Sequence, residues 1–341
     1  SFLYSNEIDF SQNLKRGSNL VSFPILPNDS SLDNIFTGID GKVEIIGEGV
    51  AAINHDGQWL GNINNIYPDK GYWVKLDLDQ VITTTGIPIS DENNSLSYNI
   101  QSGSNLISYP FLEAQSIIDA IPESTSSKIY TIAGQGSAAI YANGNWFGSL
   151  EYLDPGQGLW LVSNEEYNFK FNQPINNYEP RNNKNDRDNH PDMFEYNQST
   201  YQAFYWFINS NINGIPLEQE DWIGAFYNGT CIGARQWNGM YTDVPVMGYD
   251  EDLFQTENYI QPGETPDFVV YDASSGEYYN ANPSMNYPFP GSLLSFYIVQ
   301  SLDVEYDCMG VLGGDAILDG CGNCDYDPSN DCPVDCNGDW G

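Results

Sequence analysis

The sequence predicts a mainly all-β chain of small modules, and three observations predict it. Aromatic residues fill 14% of the 341 positions, the share expected where Tyr and Trp side chains sit on half-buried pleated faces. Short apolar runs are broken at close intervals by Gly, Pro, Asn and Asp clusters, which punctuate strands rather than long helices. A long stretch also occurs twice: Gly47 through Trp59 to Trp73 returns as Gly134 through Trp146 to Trp160, at a constant spacing of 87 residues.

The two copies define two tandem β-rich modules, residues 1–92 and 93–176. Each opens on one motif, Gly17-Ser18-Asn19-Leu20-Val21-Ser22-Phe23-Pro24 and Gly103-Ser104-Asn105-Leu106-Ile107-Ser108-Tyr109-Pro110, whose alternation predicts a half-buried strand closed by proline. Here the spacing is 86, so the second copy gains one residue between Lys42/Lys128 and the glycines. Leu32, Ile35, Phe36 and Ile39 recur at helical spacing behind Ser31, and Ile117, Ile118 and Ile121 do so behind Ser116, which predicts one short helix per module. Asp56-Gly57 and Asn143-Gly144 signal tight hairpins leading to the tryptophans. Gly47-x-Gly49-x-x-Ala52 superficially matches a dinucleotide fingerprint. It runs toward a hairpin rather than into a helix, so the glycines are read as permitting close approach between strands.

Residues 177–193 form a polar linker, in which His190 is read as solvated. Residues 194–303 carry strand-like runs at the spacing of an antiparallel β-sandwich, with Cys231 as a buried free thiol. Residues 304–341 are a Cys/Asp/Gly-rich irregular tail. Asp307-Cys308-Met309-Gly310 returns as Asp335-Cys336-Asn337-Gly338, 28 residues on, so the sequence is expected to stop within a second tail repeat.

Charge and composition restrict the function. With 47 Asp+Glu against 11 Lys+Arg the net charge is −36, which repels nucleic acid and anionic membrane surfaces. No apolar run reaches the ~20 residues needed to span a bilayer, so membrane insertion is not expected. Cys308, Cys321, Cys324, Cys332 and Cys336 crowd into the tail as disulfide candidates and favour an oxidising exterior; their pair spacing is too short for the usual zinc ribbon. Asp325, Asp327, Asn330 and Asp331 place oxygen ligands at near-alternate positions, which nominates calcium, with a solvated acidic turn as the alternative.

Catalytic residues are not nominated. The sequence contains no His-Glu-x-x-His, Gly-x-Ser-x-Gly or phosphate-loop motif, and its two histidines leave little material for a triad. A carboxylate pair for glycoside hydrolysis is defined by spatial separation and leaves no mark in sequence, so a hydrolase stays a third reading. Trp59, Trp146 and Trp237 have two readings, as core filling or as sugar-stacking platforms.

Three stretches together carry a resemblance. They are the Gly17 and Gly103 motifs, the run Asp221-Trp222-Ile223-Gly224-Ala225-Phe226 with Cys231-Ile232-Gly233-Ala234-Arg235, and the tail from Asp307-Cys308 through Gly313-Gly314-Asp315-Ala316 to Cys324. They resemble modular secreted or cell-surface repeat proteins of environmental bacteria, Bacteroidota-like and Marinimicrobia-like lineages among them. The resemblance implies a multidomain secreted architecture and carries over no catalytic residue. The expected function is a non-enzymatic extracellular structural protein, a subunit of a cell-surface layer, adhesin or filament. Such a chain would self-associate into a polymer or layer through the region Phe2 to Phe10 or through the linker. The alternative is a carbohydrate-binding accessory region of a secreted polysaccharide-degrading enzyme, with glycans as partners.

Overall fold

The computed structural model describes residues 7–90, 96–174, 190–319 and 322–327. The chain is all-β, and its α-helical segments among these residues are four-residue turns at Leu32–Ile35, Ile117–Ala120 and Glu123–Ser126. It divides into two compact units, Ser1–Asn183 with Gln198–Thr200, and Lys184–Asn197 with Tyr201–Gly341. Both sequence modules fall in the first unit.

Each module is built on a five-stranded antiparallel sheet of the same order. In the first copy the order is Gly17–Val21, Tyr72–Leu76, Val43–Gly47, Val50–His55, Gln58–Gly61; in the second it is Gly103–Ser108, Gly158–Ser163, Ile129–Ala133, Ala138–Ala142, Asn145–Gly148. A second layer covers each sheet. In the first copy it is a three-stranded sheet of Ile8–Leu14, Gln80–Pro88 and Ile25–Leu26. Along Gln80–Pro88, Ile82, Thr84 and Gly86 are buried while their neighbours are not, the period-two signature of a strand with one wet face. Strand Ile8–Leu14 lies along Gln80–Pro88 over its whole length, so part of the Phe2 to Phe10 segment is already paired within its own chain.

The repeated opening motif has a structural cause. Asn19 Oδ1 accepts the Lys15 N–H at 2.8 Å while its amide donates to the carbonyls of Lys15 and Val74. Asn105 repeats this with Gln101 and Leu161. One buried amide thus fastens the loop before the strand to the neighbouring strand and satisfies all these groups. Phe23 and Tyr109 then enter two separate cores, one around Ile45 and Val74, the other around Ile132 and Leu161.

The copies join through a seam of approximate two-fold symmetry. Val21 bridges Gln157 and Ile107 bridges Lys70, each in antiparallel fashion. The Ser22 N–H donates to the Gly156 carbonyl at 2.7 Å, and the equivalent Ser108 N–H donates to Asp69 at 3.4 Å. Near the pseudo-axis, a Cβ on Gly158 would stand 2.6 Å from the Val21 carbonyl oxygen, and one on Gly71 would stand 2.8 Å from that of Ile107. Any side chain at either position would force the seam apart.

Unit two contains the sandwich. Its central strand, Gln202–Ile212, pairs antiparallel with Thr242–Met247 and parallel with Ser295–Val304, the one parallel pair of named strands among the described residues. From Ser295–Val304 the sheet continues through Glu277–Pro283, Asp267–Asp272, Trp222–Tyr227 and Thr230–Gln236. Tyr205, Phe207, Ile223, Val246 and Phe268 fill the core. Arg235 and Asp243, both buried, link two strands through an Nε–H to carbonyl bond of 3.0 Å and a 3.3 Å ion pair. Cys231 is a buried free thiol, and burial pushes it up to about 12.

Candidate functional site

The first unit carries a groove beside Trp59. It is organised by the hairpin of Val50–His55 and Gln58–Gly61, whose turn has positive φ at Asp56 (51°) and Gly57 (80°), matching the twist of its strands. That turn fixes the register, so Asn54 stands directly across from Trp59. Asn54 Oδ1 accepts the Gly57 N–H at 3.1 Å and holds the turn. Trp59 lies against Phe36, ring centroids 5.6 Å apart, at the C-terminus of the Leu32–Ile35 helix.

A loop over Gly38–Gly41 forms the opposite wall. The Lys42 N–H donates to Asp77 Oδ2 at 3.1 Å, and Gln80 Nε2 donates to the Asp40 carbonyl at 3.2 Å, so the wall is tied to strand ends behind it. The groove encloses about 700 Å³, within the about 300–1,000 Å³ typical of small-ligand clefts. Phe36, Ile39 and Trp59 give it apolar surface. Asp33, Asp40 and Asp56 line it with carboxylates, against one ammonium, Lys42. The His55 ring nitrogen stands 3.7 Å from the Asp56 carboxylate.

The second copy treats the same place differently. Tyr141 occupies the position of Asn54 and lies against Trp146, centroids 5.2 Å apart. Ala142 replaces His55, and the helical turn Glu123–Ser126 replaces the Gly38–Gly41 loop. Trp146 is therefore packed on a ring of its own module. Trp237, the third sugar-platform candidate, belongs to the core of unit two and is only 8% exposed, as its core-filling reading expects. Sequence marks Phe36 only as part of the helical face and does not mark Asn54, although the hairpin spacing alone places Asn54 opposite Trp59.

The tail presents a second, structural feature. Asp307 Oδ1 accepts the N–H groups of Met309 and Val311, at 2.9 and 2.8 Å, and Oδ2 accepts that of Ala316. These bonds, led by the Val311 contact, hold its carboxyl below the ordinary range. Asp319 repeats the turn by accepting the Asn323 N–H at 2.7 Å. Cys308 and Cys324 form a disulfide across the two turns. Cys321, Cys332 and Cys336 lie outside the described residues, as do Asn330 and Asp331 of the calcium candidate set. Of the remaining two, Asp325 Oδ1 accepts the Asp327 N–H at 2.9 Å. Among the described residues no three His, Cys, Asp or Glu side chains converge as a metal site. No described helix is long and apolar enough to cross a membrane.

No protein-family model matches this chain, and neither a curated protein nor a solved structure emerges as similar to it.

Proposed function

We propose that this chain is a non-enzymatic structural protein of the extracellular surface, a subunit of a cell-surface layer, adhesin or filament. The observation that carries this reading is the seam between the two copies. Two modules with separate cores are fused by reciprocal main-chain bonds into one body, the kind of join that spreads load over backbone rather than over a flexible linker. The disulfide supports an oxidising compartment, and a net charge of −36 suits a salty exterior, where screening acts within about 8–10 Å.

Self-association is the corresponding partner, and electron microscopy of the purified chain over a concentration series tests it. Regular filaments or sheets are expected. Dispersed monomers at every concentration would overturn the reading. Repeating the series with a calcium chelator tests the calcium assignment separately, since order that survives chelation removes calcium from assembly.

A further inference from the structure

We infer that the Trp59 groove of the first module binds a glycan free of anionic substituents. This goes beyond the structural reading above, because a load-bearing subunit needs no ligand groove. Four features support it.

The first is shape: about 700 Å³ accommodates one or two pyranose rings. The second is the pairing of surfaces. A pyranose has an apolar C–H face and a rim of hydroxyls, and the groove offers a half-buried indole with Phe36 and Ile39 beside carboxylates, Asn54 and His55. Carboxylates accept hydrogen bonds from sugar hydroxyls, and charge-assisted bonds of that kind are roughly twice as strong as neutral ones.

The third is charge. Asp33, Asp40 and Asp56 against Lys42, on a chain of net charge −36, repel uronate and sulfated polymers and leave neutral or amino sugars as the compatible class. The fourth comes from the repeat itself. The second copy keeps the sheet, the hairpin and the tryptophan, but sets Tyr141 against it. Both tryptophans are half-buried against one ring of their own module, but Trp59 has Phe36 on one side and the Asn54 amide across the hairpin, so a polar group stands beside the indole where the second copy has an aromatic surface.

The experiment is binding of the dispersed full chain to an array of immobilised neutral, amino-sugar, uronate and sulfated glycans, followed by calorimetry with the strongest soluble oligosaccharide. It does not depend on assembly, so its outcome and that of the electron microscopy are separable. Three variants accompany it: Trp59→Ala, Trp146→Ala, and Asn54→Tyr, which gives the first copy the ring of the second. Saturable binding to a neutral or amino-sugar glycan is expected, weakened about tenfold or more by Trp59→Ala and by Asn54→Tyr and unchanged by Trp146→Ala. Thermal melts identify variants that have lost the fold, and Asn54→Tyr keeps the test valid if Trp59→Ala unfolds. Absence of any such binding, affinity equal to the parent's in both groove variants, or preference for uronate or sulfated chains would overturn the proposal.

Discussion

The two copies of the module share a sheet order, an asparagine staple and a seam, yet differ wherever a side chain is free to choose between filling space and leaving it open. In the first copy Gln12 donates to the Ser22 carbonyl from a half-exposed position; in the second, Tyr98 does so to Ser108 from full burial, among Phe169 and Phe171. The first copy opposes its hairpin tryptophan with Asn54, the second with Tyr141. The second copy is thus the more densely aromatic body and the first the more open. Features common to both copies are what the fold requires, and features present in one are candidates for function.

The seam gives the sharpest way to break that relationship. Gly158→Ala is expected to destabilise the first unit by about 2–3 kcal/mol, and Gly71→Ala by somewhat less, since the Gly158 Cβ would meet backbone at the shorter distance. Urea unfolding would show it, and splitting of one transition into two would show that the seam couples the copies. Next in size is the buried hydroxyl: Tyr98→Phe should cost about 1–2 kcal/mol, against about 0.5–1 for Gln12→Ala, whose carbonyl partner is closer to water. Equal losses would show the two staples to be equivalent despite their burial.

Tyr141→Asn should remove an aromatic pair worth about 0.5–1.5 kcal/mol and expose Trp146, shifting tryptophan emission to longer wavelength. Emission unchanged from the parent would mean Trp146 stays covered by something other than Tyr141. The smallest effect is expected for Glu48→Gln. Glu48 Oε2 accepts the Leu106 N–H at 3.5 Å, whereas Gln135 accepts the Leu20 N–H at 3.0 Å, so the variant copies a working partner and should stay within about 0.5 kcal/mol of the parent in the same urea series.

Much of the fold was legible because it rests on local signals. Period-two alternation and the Asp56-Gly57 and Asn143-Gly144 dipeptides specify strands and hairpins through chemistry that acts within a few residues. The repeat offsets were visible, but their meaning was not. The step from 86 to 87 is a β-bulge at Tyr130, where Ile129 and Thr131 pair with adjacent residues of the partner strand. Sequence left Trp237 open between core and platform because its burial comes from strands remote in sequence, and the Cys308 partner could not be chosen because the tail cysteines are alike in sequence. The Trp59 groove lay between these extremes: its register follows from a two-residue turn, whereas its far wall belongs to a loop whose position depends on Asp77 and Gln80.

The reciprocal contacts about Gly71 and Gly158 describe a homodimer written into a single chain. In such an isologous interface each partner uses the same patch, so two copies saturate one another and the contact cannot propagate head to tail. Separate single-module chains would form it only above the concentration set by their dissociation constant. Tandem duplication replaces that bimolecular step by an intramolecular closure, insensitive to dilution in an open environment. Once the pair is locked, the two halves are released from identity. One can set a ring against its tryptophan while the other sets an amide there, which is the division seen between Tyr141 and Asn54.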